Sequence, residues 1–358
     1  MSVQTLLVSP PGAQRDAVGQ RDAVGQQGAT NQYSAADQHG TAGRPSTAGS
    51  EVVGIGFAPA HHGELLQGMF ADEAGVPHRA LVTLPQPALG TRAVFRPSYT
   101  HGGVLGPPDL VKVRRAAILT LGRLPGYRSP AKGGQIEIAS TVPHGIGMGS
   151  STSDVTATIR AVADSHGHPL SREEVARLAV LAECASDSVM MDDQVVLFAQ
   201  REAVVLETFG RQLPPILVLG CDTAPEQQVD TLRLPPAPYD AGEIARFGVL
   251  RAALRRAVAK ADVALLGRVA TASARINQRY LAKPQLELLV RIGERYGGCG
   301  VQVAHSGTVA GLIFDARAEH VAERIERCAE ALNRAGLPVT QVIDPSGQGG
   351  EPLTRVSA

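Results

Sequence analysis

The sequence predicts an α+β fold with two lobes. Three observations point there. Strand-like and helix-like stretches are mixed without strict β-α alternation. A Pro-rich segment, "RLPPAPYD", interrupts the pattern near residues 233–240. The chain has 358 residues with 44% hydrophobic content, enough for two cores of ordinary size.

Each element follows in order. Residues 1–50 are rich in Gln, Gly, Ala, Ser and Thr, and "QRDAVG" at 14–19 is repeated at 20–25. Such a segment buries too little apolar area to offset its ordering entropy, so a disordered low-complexity tail is expected. From "EVVGIGFAPA" the pattern changes. Val52, Val53, Ile55 and Phe57 read as a buried strand ending in a turn at Pro59. "RALVTLP" and "TRAVFRP" read as strands, and "PDLVKVRRAAILTLGRL" has helical periodicity. "GGQIEIASTVP" alternates as a strand, and "SDVTATIRAVADSHG" reads as a helix stopped at Gly167. Ser171 with Glu174 forms a capping box at the head of the next helix. "PPILVLG" is a short strand, followed by helices near 241–260, 262–279 and 284–296. "CGVQVA" and "VAGLIF" form a strand pair around "HSGT". A helix over 317–335 and the strand "LPVTQVI" close the pattern. The first lobe is expected over 51–225, its end falling within 210–235, and the second over 226–358.

Composition excludes several function classes. Lys+Arg and Asp+Glu both number 34, so no basic field marks a nucleic-acid binder. Aromatic residues are 4% and Trp is absent, which disfavours base-stacking platforms. No apolar run approaches the ~20 residues a membrane helix needs. The N-terminus lacks the charged and apolar regions of a signal peptide, so a cytoplasmic protein is expected. Cys184, Cys221, Cys299 and Cys328 have no C-x-x-C spacing, as for free thiols in a reducing compartment.

One stretch carries chemistry. "PHGIGMGSST", 143–152, spaces Gly145, Gly147 and Gly149 ahead of Ser150 and Ser151, where a strand gives way to a helix. Glycines let the backbone approach an anion and take positive φ. The helix N-terminus supplies unpaired N–H groups and a positive dipole end. Hydroxyls bind phosphate oxygens or Mg²⁺. The physics points to an anion cradle, although a tight turn with a helix cap explains this stretch alone equally well. The standard nucleotide fingerprints do not match it.

Three more segments accompany it: "GFAPAHHGELLQG", "AECASDSVMMDDQVVLF" and "GVQVAHSGTVAGLIF". Together with Pro143, Gly147, Gly149, Ser150 and Ser151, which fit Pro-x-x-x-Gly-x-Gly-Ser-Ser, they resemble the GHMP kinases over most of residues 52–345. Within that family "GELLQG", "LVTLP", "ECASDS", "VDTL" and "AHSGTVAGL" are most similar to the L-threonine kinases of cobalamin biosynthesis. The resemblance implies a GHMP kinase fold, with a ribosomal protein S5 domain 2-like N-terminal lobe and a ferredoxin-like C-terminal lobe. It implies phosphorylation of an amino-acid hydroxyl by ATP with Mg²⁺, most simply L-threonine to O-phospho-L-threonine. Other hydroxy amino acids, homoserine and sugars are rival acceptors, and a non-catalytic ligand-binding regulator on the same fold is the rival class. Nucleic-acid and membrane partners are not expected, and the assembly would be a monomer or homodimer.

The resemblance also assigns roles. The loop 143–151 would hold ATP phosphates, and Ser151 with Glu183 would hold Mg²⁺. Asp187 would accept the hydroxyl proton. Ser306 and Gly307 would close over phosphates or substrate, and Glu64 would meet a substrate ammonium group. Each acid also has an ordinary structural reading: Glu183 a solvated helix carboxylate, Asp187 a turn residue. His305 reads first as a structural histidine. The chain departs from the family in "PAHH", where many members carry a lysine. It also has Cys184 where Pro often follows the helix Glu, and Met148 where Leu is commoner.

Overall fold

The computed structural model of the protein describes residues 53–124, 132–224, 237–280 and 282–347. The tail expected over 1–50 lies outside them. β1 (Gly54–Ala71) and β2 (Pro77–Ser98) form a long antiparallel hairpin. At its tip Asp72 Oδ1 accepts from the amides of Ala74 (2.9 Å) and Val76 (2.8 Å), and Gly75 sits at φ +83°. β4 (Gly133–Ser140) pairs antiparallel with β2, and β3 (Gly103–Leu105) pairs parallel with β4. α1 (Val111–Arg123) lies between β3 and β4 in the chain. β5 (Val195–Ala199) and β6 (Val204–Gly210) form a second hairpin that joins β2. α2 (Ser150–Ser165) is the central helix, buried along 12 of its 16 residues. α3 (Arg172–Glu183) follows with the expected Ser171–Glu174 capping box.

The second half is built on β7 (Ile216–Asp222), β8 (Gly300–Val303), β9 (Val309–Asp315) and β10 (Val339–Ile343). Their order is β10-β7-β9-β8, all antiparallel. Numbered within the unit, that is 4-1-3-2, the ferredoxin-like arrangement. Between β7 and β8 come α4 (Ala241–Lys260), α5 (Val263–Asn277) and α6 (Leu286–Arg295). α7 (Val321–Arg334) connects β9 to β10. β8 pairs with β1 at Glu64↔Val303, so a ten-stranded sheet runs through both halves. Because β7 is hydrogen-bonded to β9 and β10, we place the lobe boundary just before it, at the early edge of the 210–235 window.

The first strand corrects the sequence reading. Val53, Ile55 and Phe57 are exposed at 39%, 49% and 52%. The inward face instead carries Gly54, Gly56 and Ala58. A Cβ at either glycine would strike the backbone of α2, at Ala161 and Ser165 for Gly54 and at Ala157 and Ala161 for Gly56. The helix packs directly on the strand backbone, so the apolar alternates are turned outward. Nor does the chain turn at Pro59. β1 continues with register shifts at Pro59/Ala60, His61/Glu64 and Glu64/Leu66. Bulges of this kind re-aim side chains, and here they bury both His61 and Glu64. The last helix also starts later than expected, at Val321. Asp315 ties the preceding turn by accepting from the Arg317 amide and Nε, both at 2.9 Å, and His320 takes φ +55°.

Five apolar clusters fill the interior. The smallest positions the site. Ala60, Val142, Met148, Ala304 and Val309 pack between the glycine loop and the β8–β9 turn.

Candidate active site

The glycine loop ends at Gly149, which caps α2 in a left-handed conformation, φ +69°, with no side-chain cap. The first amides of α2 are therefore left to other acceptors, and the helix dipole points at the same spot. Gly145 and Gly147 are also left-handed, at φ +78° and +93°. A Cβ on Gly147 would overlap the Ser306 carbonyl oxygen, and one on Gly149 would overlap the His61 ring. The β8–β9 turn is bonded to this loop: Thr308 and Val309 donate their amides to Ile146 O at 2.9 and 3.1 Å. Buried Lys283 donates Nζ to the Gly307 carbonyl and anchors the turn from the other side. Burial holds its ammonium pKa below the usual value, with Glu64 and Asp222 opposing.

A cavity of about 380 Å³ opens in front of the helix start. Gly145, Gly147, Gly149, Ser150, Ser151, Glu183, Asp187 and Ser306 of the expected site residues line it. Pro143 is exposed to one side, Gly307 is buried behind Ser306, and Glu64 lies beneath the wall. Both Glu64 oxygens are engaged by His305, Oε2 by its amide (2.5 Å) and Oε1 by Nδ1 (2.9 Å).

One contact chain runs through the site. Lys112 Nζ donates to Ser151 Oγ (3.0 Å), and Ser151 donates to Glu183 Oε2 (2.8 Å). Thr152 Oγ1 donates to Glu183 Oε1 (2.9 Å) and lies 3.5 Å from Asp187 Oδ2. Asp187 Oδ2 is 2.9 Å from His61 Nε2, and His61 Nδ1 is 3.8 Å from Glu64 Oε1. From Asp187 to His305 the formal charges alternate, which lets four nearly dry groups share one site.

The titrations follow from this row. Burial pushes Glu183 up to about 7, against the Lys112 charge and the two hydroxyls. Burial also opposes the charge on Asp187, but His61 outweighs it and holds the carboxyl well below the usual range. Despite burial, Asp187 and Glu64 raise His61, and Glu64 lifts His305 to about 9, with Asp187 also raising it and Arg79 lowering it. The folded pKa of His305 lies above the unfolded value of 6.5, so its stabilisation is complete below pH 6.5 and is lost as pH rises towards 9. Urea midpoints are expected to fall over that window, by on the order of 3 kcal/mol in stability. The fall should be shallower in His305→Gln; an equal slope in both proteins would refute the assignment.

The donor sets suit the expected ligands. Ser151, Thr152 and Glu183 present only oxygen atoms, the set a hard cation such as Mg²⁺ prefers. His61, Glu64 and Asp187 also come within 4.8 Å of one another. Their ligand atoms, however, are largely turned on each other and on His305, so this group reads as an ion-pair row. A larger cavity, about 780 Å³, also has His61 in its wall. Proline and aliphatic groups form much of its wall, and its acids Asp192 and Asp193 are paired with Arg160 (3.1 Å) and Arg172 (2.6 Å). The smaller cavity holds the reactive groups and is the candidate site.

Sequence reasoning missed Lys112, Thr152 and His61. His61 was visible only as the departure "PAHH", and Thr152 stands next to the double serine. Lys112 had no sequence signal, since 39 residues separate it from the hydroxyl it meets.

A glycine-rich loop opening a central helix, a carboxylate ending the next helix and a ferredoxin-like unit bonded to the loop through its β8–β9 turn make up a two-lobed fold with a cavity at the loop. Two family models match the chain, "GHMP kinases N terminal domain" over residues 111–200 and "GHMP kinases C terminal" over 251–331. The chain belongs to the GHMP kinase family. Among characterised relatives, the L-threonine kinase of Citrobacter freundii is 32% identical over 272 residues, covering 72% of this chain and 85% of that protein. The L-threonine kinase of Salmonella typhimurium is 29% identical over 284 residues, covering 78% and 88%. Homoserine kinase from Cytophaga hutchinsonii superposes with a TM-score of 0.61 at 15% identity, covering 84% of this chain and 97% of that one. Lactococcus lactis galactokinase does so with 0.58 at 14% identity, covering 82% and 93%. These two likenesses concern the fold. GHMP kinases use ATP with a divalent metal, generally Mg²⁺. Among the described residues no helix is long and apolar enough to cross a membrane.

Proposed function

We propose that the protein transfers the γ-phosphoryl group of ATP to the side-chain hydroxyl of an amino acid, with L-threonine the favoured acceptor. The observation that carries this reading is the pair Glu183 and Asp187. Both face one cavity, Thr152 stands between them, and the uncapped start of α2 lies alongside. Phosphoryl transfer needs held phosphates, neutralised charge and an oriented nucleophile, and little covalent work from the protein. Two relatives named L-threonine kinase support the choice of acceptor.

The roles divide along the contact chain. The backbone over 143–149 and Ser150 hold phosphate oxygens, and Lys112 adds the cation that "PAHH" does not. Ser151 and Glu183, with Thr152, would hold Mg²⁺, which when bound would supply charge neutralisation. Asp187, kept anionic by His61, accepts the hydrogen bond of the substrate hydroxyl and takes its proton as transfer completes. Ser306 and Gly307 close the phosphate side from the second lobe. Glu64 holds His305 at the cavity wall, and this replaces contact with a substrate ammonium group as the role we assign to it.

The test is ADP release from Mg·ATP against L-threonine, L-serine, L-homoserine and galactose. Turnover highest with L-threonine is expected. Turnover confined to another amino acid would move the acceptor, and turnover confined to galactose would overturn the amino-acid reading. Mg·ATP binding without turnover of any of them would favour the regulator on this fold.

A further inference from the structure

The cavity wall away from the glycine loop holds a cation that the phosphoryl chemistry does not use. Arg79 stands on β2, opposite Met69, and its side chain lines the cavity with Gln67, Tyr239, Tyr280 and His305. Among the described residues it forms no ion pair with a carboxylate. Its guanidinium lies near the Tyr239 hydroxyl and close enough to His305 to act on its charge. Tyr239 is fixed in turn. Its hydroxyl donates to Asn277 Oδ1 (2.6 Å), and Asn277 Nδ2 donates to the carbonyls of Gln67 (3.1 Å) and Ser273 (2.9 Å). The Tyr239 ring packs edge-on against Phe247 and Tyr280, both at 5.0 Å between centroids.

So the arginine stands beside neutral groups and, among the described residues, has no carboxylate to compensate its charge. The nearby acid Glu243 is already taken, by Arg279 Nη1 (2.8 Å) and the Tyr280 hydroxyl (2.9 Å). At the other end of the cavity Lys112 and the start of α2 already serve the phosphates. A second, separate cation on the same cavity wall calls for a second anion, carried by the acceptor. Arg79 and Asp187 border the same cavity of about 380 Å³, with His305 also on its wall. The cavity therefore offers a small acceptor a place for its hydroxyl at Asp187 and for its anionic group at Arg79.

We propose that Arg79 binds the carboxylate of the acceptor and so selects hydroxy acids over neutral alcohols. This rests on the reading of the cavity as an acceptor site for amino-acid hydroxyls. A planar guanidinium takes a carboxylate through two parallel N–H bonds. Removing such a partner from a charged pair weakens binding by about 10²–10³-fold.

The experiment compares L-threonine with L-threonine amide, which keeps the hydroxyl and ammonium and loses the carboxylate. Steady-state rates are measured for the wild type, Arg79→Gln, Arg79→Lys and Arg201→Gln. Arg201 is the control, an exposed cation on the same rim. Binding of both ligands is also titrated calorimetrically on protein saturated with Mg²⁺ and a non-hydrolysable ATP analogue, and the thermal shift given by that analogue shows that each variant is folded. The wild type is expected to prefer the acid by at least about 10²-fold. Arg79→Gln should raise KM for L-threonine about 10²–10³-fold with a smaller change in kcat, so that the preference collapses. Arg79→Lys should fall between, and Arg201→Gln should keep the preference. Retention of the preference in Arg79→Gln, or its loss in Arg201→Gln, overturns the role of Arg79 with the acceptor class intact. A wild type that binds and phosphorylates galactose but neither L-threonine, L-serine nor L-homoserine overturns the amino-acid reading itself, and this inference with it.

Discussion

Replacing Asp187 by asparagine is expected to lower kcat by about 10²–10⁴-fold, the range for loss of a positioned base. Asparagine keeps the shape and can keep the contact with His61, so the fold and Mg·ATP binding should persist. What disappears is an anion aimed at the acceptor hydroxyl. That anion does not depend on buffer pH near neutrality, because His61 at 2.9 Å holds the carboxyl well below its usual range. The loss should therefore be similar at pH 6 and pH 8. Single-turnover phosphoryl transfer with the acceptor saturating separates this from a binding defect. A variant retaining more than a tenth of wild-type kcat would show that Asp187 only orients the row.

Gly147→Ala is expected to abolish measurable affinity for Mg·ATP while also destabilising the fold. Gly75→Ala provides the comparison. Both glycines are left-handed, at φ +83° for Gly75 and +93° for Gly147, so each alanine bears conformational strain of roughly 1–2 kcal/mol. Gly75 has open space around its missing Cβ, and its cost should stop there. A Cβ at Gly147 would overlap the Ser306 carbonyl and push the β8–β9 turn off the loop it is bonded to through Ile146 O. Thermal melts with and without Mg·ATP check both parts. The ligand-induced shift should survive in Gly75→Ala and vanish in Gly147→Ala. Equal shifts in the two variants would mean that the loop junction does not hold the nucleotide.

Much of the site was legible because its chemistry is written locally. Residues 143–151 are contiguous, and the three companion segments decided between an anion loop and a plain tight turn. Glu183 and Asp187 sit four residues apart, and helix α3 with its left-handed Cys184 cap fixes how both enter the cavity. Glu64 was legible as a residue but not in its contacts. Its burial comes from bulges in β1 and from a histidine 241 positions away. Arg79 gave no signal at all, since a lone arginine in a strand is ordinary until Tyr239 and Asn277 are brought to it.

The first strand marks the same division. Alternation alone correctly indicated an extended segment, because a period of two belongs to the strand whichever face is covered. It could not tell which face α2 would choose. The large side chains suggested one, and the helix took the other, because only Gly54, Gly56 and Ala58 let two backbones meet. The sequence by itself determined the order of the helices, the place of the glycine-rich loop and the resemblance to the family. Those depend on neighbours along the chain, where spacing and backbone freedom are read directly. Only the tertiary structure decided the partners of the site's charges, Lys112 with Ser151, His61 with Asp187 and Glu64 with His305. Such pairs form where distant segments exclude water together, and the resulting desolvation and Coulomb forces depend on positions in space that no local pattern encodes.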